Sequence, residues 1–199
     1  ELDALVNIDF STRLIKDRLT SLDIIRIGTS GTLQQDIPID SVLVSEFGLG
    51  LDALMHYYKK ELDANEAELQ DAVKSHLQIP GIEPYVTAAS PALLEKVGKN
   101  FLRGITVTAP GFYAPQGREV RAINKVPDLI ASLNSFRWNE TRITNLEMET
   151  AGIYALAKAL GHQALSVNAI LASRVRFEFS TSPEKIVEQT IQNVLQSLS

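Results

Sequence analysis

Two stretches of this chain are long apolar runs with little polar alternation: Leu22–Ile27 (LDIIRI) and Ala164–Ala172 (ALSVNAILA). A strand with one wet face alternates polar and apolar residues, whereas a strand covered on both faces reads as a continuous apolar run. Such runs require helices on both sides of a sheet, and the sequence supplies them. Ser90-Pro91 and Ser182-Pro183 each place a cap before a proline at the first helical position. The first opens a helix toward Gly98, and the second opens the last helix, with Val187, Ile191, Val194 and Leu198 on one stripe. Leu62–Leu77 reads as a charged helix with its acidic residues on a solvated face. Ser41–Glu46 (SVLVSE) and Ile105–Ala109 (ITVTA) are further strands. The fold class is therefore α/β, a three-layer α/β/α arrangement around a central mixed β-sheet, with no internal repeat and no long linker.

The chain has 199 residues, 45% apolar and 22% charged, enough for one sizeable domain across 1–199. A net charge of −5 argues against a general nucleic-acid binder, and the absence of cysteine excludes disulfides and thiolate metal sites. That cysteine usage is compatible with the cytoplasm. No apolar run reaches the roughly 18 residues of a membrane span. Asn7–Ser21 alternates and predicts a β-hairpin feeding the strand at Ile24. ELDALV reads as the end of a helix already under way, so the domain is expected to lack its N-terminal portion.

Three segments carry chemistry. In Arg26–Gly31 (RIGTSG) an apolar strand runs into two glycines, two hydroxyls and an arginine. Such a turn can expose backbone N–H groups as an anion nest, with Arg26 adding a fork suited to phosphate. A plain glycine-containing turn is the simpler alternative, weakened by an arginine inside a buried strand. Thr108–Arg121 (TAPGFYAPQGREVR) offers Phe112 as a face for a flat ring, Gln116 as an amide for its edge, and Arg118 for charge on a ring oxygen. An ordinary Pro/Gly loop reads the same way. In Thr144–Gly161 (TNLEMETAGIYALAKALG), Thr144 and Glu147 match a capping box opening a helix that Gly161 ends. Glu149 has no basic partner at i+3 or i+4; it either complements the helix dipole or accepts hydrogen bonds from a pair of ligand hydroxyls. His56, His76 and His162 have no metal-site spacing and read as exposed or core-satisfied.

RIGTSG, GFYAPQGR (Gly111–Arg118) and NLEMETAGIYALAKALG (Asn145–Gly161) together resemble the nucleoside phosphorylase family, most closely its uridine-cleaving members. The resemblance spans about Ser21 to Ala172. It implies that Arg26, Thr29, Gly28 and Ser30 bind phosphate. Phe112, Gln116 and Arg118 would take the base, and Thr29, Met148 and Glu149 the ribose, with Glu147 and Arg174 in support. The implied reaction is reversible phosphorolysis of a pyrimidine nucleoside such as uridine to uracil and ribose 1-phosphate. It implies no metal or organic cofactor, phosphate being a substrate. It also implies a homo-oligomer, a dimer or a hexamer built of dimers, sharing sites across the dimer. A first glycine-rich phosphate loop, a cross-dimer histidine and further arginines of the family would precede residue 1.

Purine-specific relatives carry a serine–aspartate pair after a late strand, and Asn168–Arg174 (NAILASR) has no aspartate, which favours a pyrimidine base. The competing readings are a purine phosphorylase, a nucleosidase of the same fold that uses water, and a nucleoside-binding relative without turnover.

Overall fold

The computed structural model describes all 199 residues. In chain order it contains α1 (Leu2–Asn7), β1 (Ile8–Asp9), β2 (Leu14–Ile15), β3 (Asp23–Thr32), β4 (Val42–Gly50), α2 (Ala64–Leu77), β5 (Tyr85–Ala88) and α3 (Pro91–Lys96). There follow β6 (Leu102–Thr108), α4 (Leu129–Ser135), β7 (Arg137–Trp138), β8 (Thr141–Glu147), α5 (Thr150–Ala159), β9 (Gln163–Ser173), β10 (Glu178–Phe179) and α6 (Pro183–Leu198). The two apolar runs lie side by side: β3 pairs in parallel with β9 along its whole length. The main sheet is mixed, in the order β10-β9-β3-β8-β6-β4-β5.

Helices cover it on both sides, as the apolar runs require. Leu69 and Val73 of α2 and Leu133 of α4 pack with Ile105, Val107 and Ile143 in one core. Leu93 of α3, Tyr154 and Ala157 of α5 and Val194 of α6 pack on Val44, Leu165 and Val167 in the other. No helix is long and apolar enough to cross a membrane. One feature is not visible in any single segment. Val42–Val44 of β4 also pair antiparallel with Val167–Ala169 of β9. That pairing closes β3, β8, β6, β4 and β9 into a five-stranded barrel.

Several expectations need correction. RIGTSG is not a turn: β9 offers a hydrogen-bonding partner to every residue from Asp23 to Thr32, so the segment stays extended. A register shift falls between Ser30 and Gly31, and β8 pairs with β3 only at Gly31 and Thr32. Over Arg26–Ser30 the second edge of β3 therefore has no strand partner. Thr144 does not cap a helix. It lies in β8, claimed by β6 on one side and β3 on the other, and the helix starts at Thr150 with Glu149 as its N-cap residue. Long-range pairing has overridden a local capping pattern. The stripe of α6 is buried at Ile186, Thr190 and Val194, whereas Leu198 is exposed. The expected N-terminal hairpin is present as the short β1–β2 pair.

The acidic face of α2 is not fully solvated either. Asp63 and Glu66 form a capping box, and Glu66 is completely buried. Its carboxylate accepts from the Asp63 and Ala88 amides at 3.1 and 2.9 Å and from Lys158 Nζ at 2.6 Å. One side chain thus ties α2 to β5 and α5. A hydrogen bond to a charged group contributes roughly 1.5–3 kcal/mol. Lys158→Met is expected to lower unfolding free energy by about 2 kcal/mol on that basis, measured by urea titration; an unshifted midpoint would mean that the two amides alone satisfy Glu66.

Candidate functional site

Arg26 leaves β3 toward the barrel interior, and its guanidinium lies over Gly28. A Cβ at Gly28 would stand 2.4 Å from Arg26 Nη1, so glycine there gives the arginine its room. One edge of the fork is held by neutral acceptors: Nη1 donates to Asn168 Oδ1 at 3.0 Å and Ser166 Oγ at 3.3 Å. The other edge faces carboxylates. Nη2 lies 3.2 Å from Glu147 Oε2 and also pairs with Glu149. The Arg26 side chain is 14% exposed and that of Glu149 53%, so the pair joins an anchored cation to a solvent-facing anion.

Glu147 ends β8 and is buried. It accepts from Thr108 Oγ1 at 2.7 Å, the Glu149 amide at 2.9 Å and the Thr150 amide at 3.0 Å. Thr108 Oγ1 in turn accepts from the Ala151 amide at 2.8 Å. Glu147 does cap α5, but from the preceding strand and with Thr108 as its partner. The first amides of α5 are therefore committed to protein acceptors, which leaves anion binding to side chains and to β3. Burial pushes the Glu147 carboxyl above its ordinary value, while Thr108, Arg26 and the two amides pull it back toward the carboxylate.

On the opposite wall, the loop after β6 folds into a 3-10 turn, Ala114–Gln116, ended by Gly117 at φ +71°. Gln116 is buried, and its Oε1 accepts from Arg118 Nη1 at 2.9 Å and from Arg174 Nη2. Two cationic donors fix which end of the amide is oxygen and leave the NH2 group without a protein partner. The Arg118 guanidinium stacks 3.8 Å from the Phe112 ring centroid and donates to the Phe112 carbonyl. Phe112 thus lends one face to an arginine. Arg174 packs against Gly31, where a Cβ would lie 3.0 Å from its Nε. That Nε is buried without a partner. Burial, with Arg118 nearby, lowers the Arg174 pKa to about 10. Burial also lowers that of Arg118. These two arginines are held by neutral oxygens only.

The two walls enclose a cleft of about 250 Å³, which Arg26, Thr29, Ser30, Phe112, Gln116 and Arg118 line together with Glu147, Met148, Glu149 and Arg174. All of these were singled out in the sequence. Gly28 was too, but it lies beneath Arg26 and not at the cleft surface. Sequence reasoning missed Ser166, Asn168 and Thr108, which hold the charged groups. Their signal was present as polar residues at every second position of ALSVNA and ITVT. Of the histidines, His162 is core-satisfied, with Nδ1 accepting from the Leu22 amide at 3.1 Å, while His56 and His76 lie away from the cleft.

Comparison with known proteins identifies the family and the fold. The model of the phosphorylase superfamily matches residues 5–198. The uridine phosphorylase of Thermococcus kodakarensis is 30% identical over 81% of this chain and 52% of its own length. The Haemophilus influenzae uridine phosphorylase is 27% identical over 90% of this chain and 66% of its own. The chain thus spans between about half and two thirds of these curated relatives. A crystal structure of a Trypanosoma brucei nucleoside phosphorylase that shows uridine phosphorylase activity superposes with a TM-score of 0.89 at 24% identity. It covers all of this chain and 74% of that one, and this likeness carries the fold.

An orphaned buried donor and two neighbouring cations are costly in an empty site, and functional sites commonly forgo stability in this way. Arg174→Met is expected to stabilise the ligand-free protein by about 0.5–2 kcal/mol, the usual gain from relieving such a site. Chemical denaturation checks this, and a destabilised variant would show that Arg174 is a structural residue.

Proposed function

The chain belongs to the phosphorylase superfamily, and we propose that its cleft carries out the phosphorolysis of uridine or a related pyrimidine nucleoside, giving uracil or its analogue and ribose 1-phosphate. The observation that carries this reading is the juxtaposition of the Arg26–Glu149 pair with Gln116, Arg118 and Arg174 across one cleft. Arg26, Thr29 and Ser30 take phosphate, with the unpaired edge of β3 beside them. Met148 and Glu149 take the ribose. Gln116, Arg118 and Phe112 take the base, with Arg174 closing it from the side of β9.

In the reaction, a phosphate oxygen attacks C1′ as the bond from C1′ to the base nitrogen breaks, and the base leaves with the bonding pair. No protein nucleophile takes part. The chain holds two substrates in line and offsets charge on the departing base, the task for which Arg118 and Arg174 stand unpaired by carboxylates. Asn168–Arg174 supplies no carboxylate to recognise a purine nitrogen, which supports the pyrimidine assignment. The uridine phosphorylases among the relatives point the same way. We place the working form as a homo-oligomer, a dimer or a hexamer of dimers with shared sites, acting in the cytoplasm on a nucleoside and inorganic phosphate, without nucleic acid or membrane.

The Arg26–Glu149 pair also sets an order. Arg26 and Glu149 neutralise one another, so neither is free for substrate. Phosphate competes for the guanidinium and releases the carboxylate to the ribose hydroxyls, which couples the two sites reciprocally. A uracil riboside with an uncleavable carbon–carbon glycosidic bond is expected to bind about 5- to 150-fold more tightly in saturating phosphate than without it, read by calorimetry; equal affinities would remove the coupling.

The decisive assay is release of base from uridine and from inosine, each with and without phosphate. Phosphate-dependent release from uridine alone is the expected result, and phosphate-independent release would identify a nucleosidase. Glu149→Ala is expected to cost the ribonucleoside more kcat/KM than its 2′-deoxy analogue, by roughly tenfold for one lost charged hydrogen bond. Equal losses on both would assign Glu149 to the helix dipole only.

A further inference from the structure

Behind the cleft, the space enclosed by the five-stranded barrel is polar. Starting at Arg26, hydrogen bonds run from Nη1 to Asn168 Oδ1 at 3.0 Å and from Asn168 Nδ2 to Ser45 Oγ at 3.0 Å. They continue from Ser45 Oγ to Thr106 Oγ1 at 2.5 Å, from Thr106 Oγ1 to Asn145 Oδ1 at 2.8 Å, and from Asn145 Nδ2 to Ser30 Oγ at 2.9 Å. Every barrel strand contributes: β3 the two ends, then β9, β4, β6 and β8 one residue each. Asn168, Ser45, Thr106 and Asn145 are completely buried. The chain begins and ends on residues that line the cleft.

The direction of the first two bonds is forced. Guanidinium has donors only, so Asn168 must turn its oxygen to Arg26 and its NH2 to Ser45. Ser45 then accepts from Asn168, and either hydroxyl can donate in the Ser45–Thr106 bond. At the far end Asn145 donates to Ser30. Ser30 therefore accepts from within the barrel and keeps its hydroxyl hydrogen for the cleft. A buried network of this kind is favourable only when each member is satisfied, and one reversed member disturbs the rest.

Resting on the phosphorolytic reading above, we propose that Asn168 is a positioning residue for phosphate. It fixes the inner edge of the Arg26 guanidinium, so that the outer edge alone exchanges Glu149 for phosphate. Asn168 reaches the cleft only through other residues.

The test is the dissociation constant of inorganic phosphate, measured by titration calorimetry on the whole protein in the absence of nucleoside. Asn168→Ala frees the guanidinium edge and is expected to weaken phosphate at least tenfold. Asn168→Asp keeps the shape but cannot donate to Ser45, and its charge competes for Arg26; it is also expected to weaken phosphate at least tenfold. In an Arg26→Lys background, where the fork is already gone, Asn168→Ala is expected to add less than threefold. That non-additivity separates positioning from general destabilisation.

Thermal melts establish that each variant is folded. If Asn168→Ala does not fold, the isosteric Asn168→Asp decides the matter. Wild-type binding of phosphate with both Asn168 variants within twofold of it would overturn the proposal while leaving the functional reading intact. Failure of the wild type itself to bind phosphate at millimolar concentration would overturn that reading, and the role of Asn168 with it.

Discussion

The site depends on one requirement, that a guanidinium inside a β-barrel be satisfied on every side. A charge at that depth is costly unless paired and hydrogen-bonded. Arg26 is one of three arginines at the cleft and the one rooted in a central strand. Ser166 and Asn168 answer one edge of it, and Glu147 and Glu149 the other. The glycine two residues on is required because the guanidinium lies across the backbone there. The polar interior of the barrel follows from the same requirement, since Asn168 needs a partner of its own and passes the demand around the strands.

Glu147 carries the constraint to the helix. By accepting from Thr108 and from the first amides of α5, it locks the start of that helix against β6. Glu149 is thereby held at the mouth of the cleft, exposed and within reach of Arg26. The second wall is built by another means. Gln116 bridges Arg118 and Arg174 by offering one oxygen to both. The cleft thus has one wall whose cation is paired with carboxylates and another whose cations are not. A reaction that brings in an anion on one side and expels an anionic base on the other fits that asymmetry.

Much of this was legible in the sequence. The apolar runs required two-sided coverage, and the Ser-Pro caps located α3 and α6. Ten of the residues lining the cleft could be named, some because an arginine within a strand, a Pro/Gly loop with Gln and Arg, and an unpaired glutamate are each unusual, and others, such as Met148 and Arg174, only because the motifs resemble a known family. Local patterns also misled. Thr-Asn-Leu-Glu satisfies a capping box and yet forms the end of β8, because pairing with β6 and β3 supplies more hydrogen bonds than a cap. The acidic residues of α2 gave no sign that Glu66 would be buried against Lys158, which lies far away in sequence.

The sequence by itself determined the layers, the chemical groups and their family, since these follow from periodicity, composition and motifs read within a short window. The tertiary structure alone decided that β4 meets β9. That closure gives Ser45, Thr106, Asn145, Ser166 and Asn168 a common interior, although they come from four strands far apart in sequence. It decided as well that Arg26 rests against Glu149, and that Gln116 presents its amide hydrogens to the cleft. The physical reason is that hydrogen-bond direction and charge pairing are set by neighbours on other segments, more than a hundred residues away in the case of Arg26, which no local pattern encodes.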